Sequence, residues 1–354
     1  MNRTLCVLAA LAALAALTTG GAALAQSGIN FYGRIDASVG RAKVTAGGLT
    51  PSDPGLSITS GSYTASRWGI TGTEDLGNGL EARFTLEQGF NVDTGSAAAG
   101  SQFDRQSFVG LAGGFGSLTI GRQYDLLDQF TTNFDPFAKS GGYSAQLFAF
   151  TTPAAAAAGP AARRLGNYLS RQNNAVQYAS PAIGGVQVRV LWAPGEDKLP
   201  GMGGAGENYG MGLSYATGAL SVGGVYQVNQ ASGARGIDQW LLGASYNFGP
   251  AKVFGQVQAG KNRNVPGTAR DDGCQLGLSI PLGAFTVIAS YAAEDQTTAG
   301  IKVSDTSAIG LAGQYSLSKR TYVYGAYRQG EVDPRGAAAT TRERRYGLGL
   351  VHMF

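Results

Sequence analysis

From Ile29 to Val39 the chain alternates. Ile29, Phe31, Gly33, Ile35, Ala37 and Val39 are apolar or small, while Asn30, Tyr32, Arg34, Asp36 and Ser38 between them are mostly polar. The same period returns in Leu80, Ala82, Phe84 and Leu86 against Glu81, Arg83, Thr85 and Glu87, and in Val186, Val188, Val190 and Trp192 against Gln187, Arg189 and Leu191. Tyr209–Tyr215, Leu220–Tyr226 and Trp240–Phe248 carry further faces of this kind. A period of two sends successive side chains to opposite sides of a β-strand. The connections between these runs alternate between tight and long. Tight ones fall at Gly77-Asn78, Gly113–Gly116, Pro181–Gly185, Thr217-Gly218, Gly249-Pro250, Pro281–Gly283 and Ser318-Lys319. Longer, more polar ones cover Gly40–Ala65, Asn91–Gln102, Gln123–Leu165, Ala193–Glu207, Asn229–Ile237, Lys261–Asp271, Asp295–Asp305 and Gly330–Glu343. Seven short and eight long connections make sixteen strands, with both chain ends on the short-turn side. The expected fold is all-β, a 16-stranded antiparallel transmembrane β-barrel with short turns on one rim and long loops on the other.

One stretch breaks the rhythm. Gln123–Leu165 keeps no period of two, and a loop this long in a compact fold has a job. It is expected to fold inward as the third outer loop and narrow the barrel.

Composition sharpens the class. Arg3, the apolar run Leu5–Leu17 and Ala23-Leu24-Ala25 form a secretory signal peptide over residues 1–25, with the barrel over 26–354 and Gln26 as the expected first mature residue. Past the leader one cysteine remains, Cys274, so no intrachain disulfide is expected. Lys and Arg number 27 against 23 Asp and Glu, a mild balance that argues against nucleic-acid binding. Glycine, 55 of 354 residues, is about twice its usual share of ~7%. No mature stretch reaches the ~18 apolar residues of a membrane helix. The remaining classes are a soluble β protein, such as a surface adhesin, and an outer-membrane barrel. Aromatics at strand ends, among them Phe31, Trp68, Phe90, Tyr178, Trp192, Tyr209, Tyr215, Trp240, Tyr246, Phe248, Phe285 and Tyr291, favour the barrel with an aromatic girdle at each interface.

The stretches FYGRIDASVG, SRWGITGTEDLGNGLEARFTLEQGF, RQSFVGLAGGFGSLTIGRQYD, RQNNAVQYASP, LSKRTYVYGAY and the ending YGLGLVHMF resemble the general porins of Gram-negative outer membranes, in the non-enteric branch. The resemblance spans the whole mature chain. It implies a homotrimer of sixteen-stranded barrels in outer-membrane lipid and lipopolysaccharide, each a passive diffusion channel for small hydrophilic solutes and ions. It also implies a basic ladder facing acids of the third loop. Residue by residue, Arg34 in FYGR, Arg67 in SRWG, Arg122 in IGRQ and Arg171 in RQNN match the ladder. Alternation independently puts Arg34, Arg67 and Arg171 on the polar face. Arg122 shares parity with Leu118 and Ile120, so a strand end or bulge has to re-aim it.

The loop departs from the enteric Pro-Glu-Phe-Gly pattern and reads Asp135-Pro136-Phe137-Ala138-Lys139. Asp125, Asp128 and Asp135 are the candidate acids, offset by Lys139, Arg163 and Arg164. Guanidinium is always charged, and charges facing each other across a few ångströms of water set a transverse field. With the acidic side weakened, a mild anion preference is expected, and reversal of Arg67 and Arg171 to Glu is expected to flip it. The alternatives are a porin selective for an anionic solute class and a non-channel surface β adhesin.

Other motifs carry no chemistry. The Walker-like run Gly255–Lys261 lacks its Ser/Thr and lies in a strand. Asp271-Asp272 is expected to be a solvated loop pair. The one histidine, His352, lies on the last strand, away from any placed nucleophile. Neither catalysis nor a metal or cofactor is expected. Phe354 resembles the aromatic terminus by which the barrel-assembly machinery reads the family.

Overall fold

The computed structural model describes residues 28–45, 53–151, 170–195, 206–230, 236–263, 267–336 and 339–354. The expected leader and residues 163–164 lie outside them. The described strands are β1 (Gly28–Thr45), β2 (Ser57–Ser60), β3 (Arg67–Gly77), β4 (Leu80–Gly89), β5 (Gln106–Gly113), β6 (Gly116–Tyr124), β7 (Arg171–Ala179), β8 (Val186–Ala193) and β9 (Asn208–Thr217). They continue with β10 (Leu220–Asn229), β11 (Ile237–Asn247), β12 (Lys252–Asn262), β13 (Ala269–Leu282), β14 (Phe285–Thr298), β15 (Ile301–Ser316), β16 (Thr321–Pro334) and β17 (Thr341–Met353). From β3 onward each pairs antiparallel with the strand that follows it, and β17 returns to β1 in register from Arg34↔Met353 to Thr45↔Arg342. Along its other edge β1 pairs with β3 over Gly28–Arg34 and with the short β2 over Ala37–Gly40. β2 and β3 therefore share one place in the ring, which closes as a sixteen-stranded antiparallel barrel without a free edge.

The alternation sorts cleanly by face. Ile29, Phe31, Ile35 and Val39 are exposed on the outside, while Asp36 and Ser38 between them are buried inside. Tyr209 and Tyr215, Trp240 and Tyr246, and Phe285 and Tyr291 stand outward in pairs six residues apart on β9, β11 and β14. At ~3.4 Å per residue each pair spans about 20 Å of strand, which suits two interfacial belts around an apolar band. Cys274 is exposed on that band.

The seven tight turns fall where the alternation breaks, but one long connection does not exist as expected. β14 and β15 run on through Asp295 and Asp305 to a two-residue hairpin at Ala299-Gly300. Asp295 and Asp305 face one another across the two strands. Above the membrane band both faces of a strand are wet, so pairing continues after the apolar period has stopped.

Depth and face make a prediction. Leu242 is 57% exposed on the outside, between the belts of β11. Leu242→Arg is expected to lower the free energy of unfolding by about 2–4 kcal/mol, read from urea unfolding in liposomes. Its neighbour Leu241 does face inward, yet it is fully buried beneath a helix of the third loop. Leu241→Arg is therefore expected to be costly as well, because it buries a charge among apolar side chains.

Candidate functional site: the constriction of the barrel

The third outer loop leaves β6 after Tyr124 and forms α1 (Leu126–Phe134) and α2 (Ala145–Thr151) inside the barrel. In α1 the apolar residues Leu126, Leu127, Phe130 and Phe134 recur on one face and pack on Ala175, Leu191, Ala193, Val225 and Leu241 of the wall. The wall admits them because it lacks side chains where the loop is bulky. Phe130 lies against Gly212 and Gly223, Phe134 against Gly243, Pro136 against Gly277, Phe148 against Gly330 and Phe150 against Gly273. A methyl on Gly243 would lie 2.2 Å from the Phe134 ring, and one on Gly330 would lie 2.1 Å from the Phe148 ring. Part of the glycine excess is thus a seat for this loop.

Hydrogen bonds fix the loop at both helices. Asp125 caps α1, accepting from Leu127 N at 2.9 Å, and its other oxygen accepts from Gln172 and Gln227 at 2.7 Å and from Asn208 at 3.3 Å. Asp135 accepts from the backbone N–H of Phe137 and Lys139, from the Ser144 hydroxyl at 2.6 Å and from the Gln275 amide at 2.9 Å. The first loop also turns inward. Asp36 accepts from the backbone N–H of Tyr63 and Thr64, and Ser62 O accepts from Gly142 N and the Ser140 hydroxyl.

Opposite the loop stands a wall of cations. A lumen cavity of about 640 Å³ is lined by Arg34, Arg67, Arg105, Arg171 and Arg189, with Asp128 and Lys139 on the loop side. That is room for roughly twenty waters at ~30 Å³ each. Glu87 lies buried behind the wall, accepts from Arg105 Nε at 2.8 Å, Tyr32 OH at 3.0 Å and Tyr124 OH at 3.2 Å, and forms an ion pair with Arg67 Nε at 3.2 Å. The Arg171 guanidinium stacks on the Tyr124 ring, 4.9 Å from its centre. Arg34 donates to Thr64 Oγ1 at 2.9 Å, and Arg189 donates to Gln129 and Gln187. Arg34, Arg171 and Arg189 therefore turn their charge to neutral partners and the lumen.

Of the residues singled out in the sequence, the fold brings together Arg34, Arg67, Arg171, Asp128 and Lys139. Arg122 does not line that cavity. Arg122 keeps the parity of the exposed Leu118 and Ile120 and donates to Asp104 O and to Asn173. A bulge does occur here, but on β7, where Asn173 and Asn174 face one residue of β6 and Asn174 takes φ 53°. The extra residue therefore leaves Arg122 on its original face. Asp125 and Asp135 also stay out of the cavity, taken up by backbone N–H groups of the loop and by side-chain amides of the wall. Sequence reasoning passed over Glu87, Arg105, Arg189 and Tyr124. Glu87 and Arg189 were legible as polar positions of β4 and β8, whereas Arg105 and Tyr124 sit at strand ends where the period gives no face.

Burial pushes the Asp125 carboxyl up to about 6, against the pull of its N–H donors. Its value in the folded chain lies above the ordinary 3.8, so its contribution to stability is complete below that pH and is lost as pH rises through about 6. Asp125→Asn keeps a capping oxygen. It is expected to flatten the pH dependence of stability between about pH 4 and 7, a change on the order of 2 kcal/mol in the parent. The midpoint of heat-induced band shift against pH measures this, and equal slopes in both proteins would contradict it.

At the far rim Phe354 completes the ring. Its backbone N–H and C=O bond Gly33 at 3.1 and 3.0 Å, and its ring stacks on Phe31, 5.5 Å between centres. His352 is exposed and bonded to Thr321 Oγ1 at 2.9 Å.

Known proteins share this plan. The model of the Gram-negative porin family matches residues 10–335. Outer membrane porin protein 32 of Delftia acidovorans is 37% identical over 321 residues, 89% of this chain and 87% of that protein. An outer membrane porin protein of Bordetella pertussis is 29% identical with full coverage of both chains. The solved anion-selective porin from Comamonas acidovorans superposes with a TM-score of 0.78 at 29% identity, covering 93% of this chain and 100% of that one. With its closed barrel, its loop folded into the lumen and a match running nearly end to end, this chain belongs to the Gram-negative porin family, as a multi-pass β-barrel of the outer membrane that serves as a diffusion channel.

Proposed function

We propose that the channel passes small hydrophilic solutes with a mild preference for anions, and that Arg34, Arg67, Arg105, Arg171 and Arg189 set that preference. The observation that carries this reading is the imbalance at the cavity. Among the described residues five guanidiniums line it, while its loop side offers one carboxylate, Asp128, already paired with Lys139. The anion-selective porin from Comamonas acidovorans, similar over nearly its whole length, supports the same direction. The working form is a homotrimer in lipid and lipopolysaccharide, made after removal of residues 1–25. Phe354 is its signal to the assembly machinery, and no step of catalysis is assigned to it. Swelling of liposomes that carry the purified protein tests the reading. Uncharged sugars should enter, and small organic anions should enter faster than cations of equal size. Liposomes that stay tight to all three would overturn it. Selectivity for one anionic solute class is favoured by the three guanidiniums with neutral partners, and it would show as entry that saturates with concentration.

A further inference from the structure

We infer that Lys139 is a specificity-determining residue, held by a strained turn so that its ammonium cancels Asp128, the one carboxylate lining the cavity among the described residues. This rests on the anion reading above and names what protects it. Asp128 stands in the first turn of α1 and faces the guanidinium wall across the cavity. Unpaired, it would restore the acidic loop side that sets a transverse field and lets cations through.

The chain spends conformational strain to prevent this. After α1 ends, Ala138 and Lys139 both take left-handed backbone angles, φ 46° and 59°. Each costs of order 1 kcal/mol for a residue with a Cβ, and such a pair persists only when its surroundings over-determine it. Asp135 supplies the surroundings. Its carboxylate takes Phe137 N at 3.1 Å and Lys139 N at 2.9 Å, and its carbonyl takes Ala138 N at 2.9 Å. The turn therefore doubles back on α1, and the Lys139 ammonium meets the Asp128 carboxylate in an ion pair about one-tenth exposed. A pair so enclosed is screened less by salt than one in open water. Asp135 is thus a positioning residue for Lys139, which accounts for its place away from the lumen.

The test is a charge cycle read as the chloride-to-potassium permeability ratio in planar bilayers. Lys139→Gln should lower the ratio roughly threefold, the scale of one uncompensated charge acting through several ångströms of water. Asp128→Asn should raise it by removing the negative charge that offsets the ammonium. The double variant, with neither charge, should return to the parent's ratio. A structural role alone would alter conductance without that return. An unchanged ratio in Lys139→Gln, or a double variant that stays with the Lys139→Gln single, overturns the inference. Should Lys139→Gln fail to assemble, Asp128→Asn decides, and no rise there overturns it as well. The cycle reads relative changes, so a parent channel with no anion preference would sink the proposed function and leave the Lys139–Asp128 coupling to be judged by itself.

Discussion

Replacing Arg34, Arg171 and Arg189 together by glutamate is expected to invert the sign of the zero-current potential in a KCl gradient. These three are the wall cations whose partners are neutral, so each reversal changes the field at the lumen by two charges. Arg67 and Arg105 are unsuitable, because a carboxylate at either place would press on buried Glu87. Two reversals, at Arg67 and Arg171 for instance, are too few. Five guanidiniums and Lys139 stand against Glu87 and Asp128, and two reversals bring that set only to balance. The third tips it negative. Screening sets the conditions, since the Debye length falls from about 10 Å at 0.1 M salt to about 3 Å at 1 M. The inversion should be fullest in dilute salt. An unchanged potential in the triple variant would mean that the selective field lies elsewhere.

The second large effect comes from the glycine seat. Gly243→Val with Gly330→Val fills the hollows under Phe134 and Phe148, rings only 2% and 4% exposed that have no room to turn away. Overpacking of this kind costs about 1–3 kcal/mol at each place. Valine suits a strand, so the ladder around it survives while the loop leaves its seat. The barrel should still form, single-channel conductance should rise several-fold, and ion preference should weaken because solutes in the widened lumen pass farther from the guanidinium wall. An assembled variant with parental conductance would show that this loop is not the constriction.

These two effects also mark where the sequence was legible. A strand crossing lipid must turn every second side chain to an apolar medium, so Ile29–Val39 and Leu80–Glu87 disclose their faces from local order alone. The same parity put Arg34 and Arg67 in the lumen, whereas Arg171, past the bulge at Asn173-Asn174, reaches it from the end of its strand. It fell silent where both faces are wet, and so the hairpin at Ala299-Gly300 looked like a long loop. The seat was out of reach for another reason. Gly212, Gly243, Gly273 and Gly330 lie on four different strands, and only closure of the ring lines them up under one loop. Asp125 and Asp135 were misjudged on chemistry that was visible. A short carboxylate next to Leu126-Leu127, or at a turn before Pro136, satisfies nearby backbone N–H groups first, and that need outranks a place in the pore.

The central claim is that the narrow zone holds more fixed positive than negative charge, and one measurement addresses it directly. Purified protein in a planar bilayer, under a roughly tenfold KCl gradient with the dilute side near 0.1 M, gives a zero-current potential. Chloride should cross faster than potassium and leave the dilute side negative. A dilute side that is positive, or no potential at all, would contradict the account.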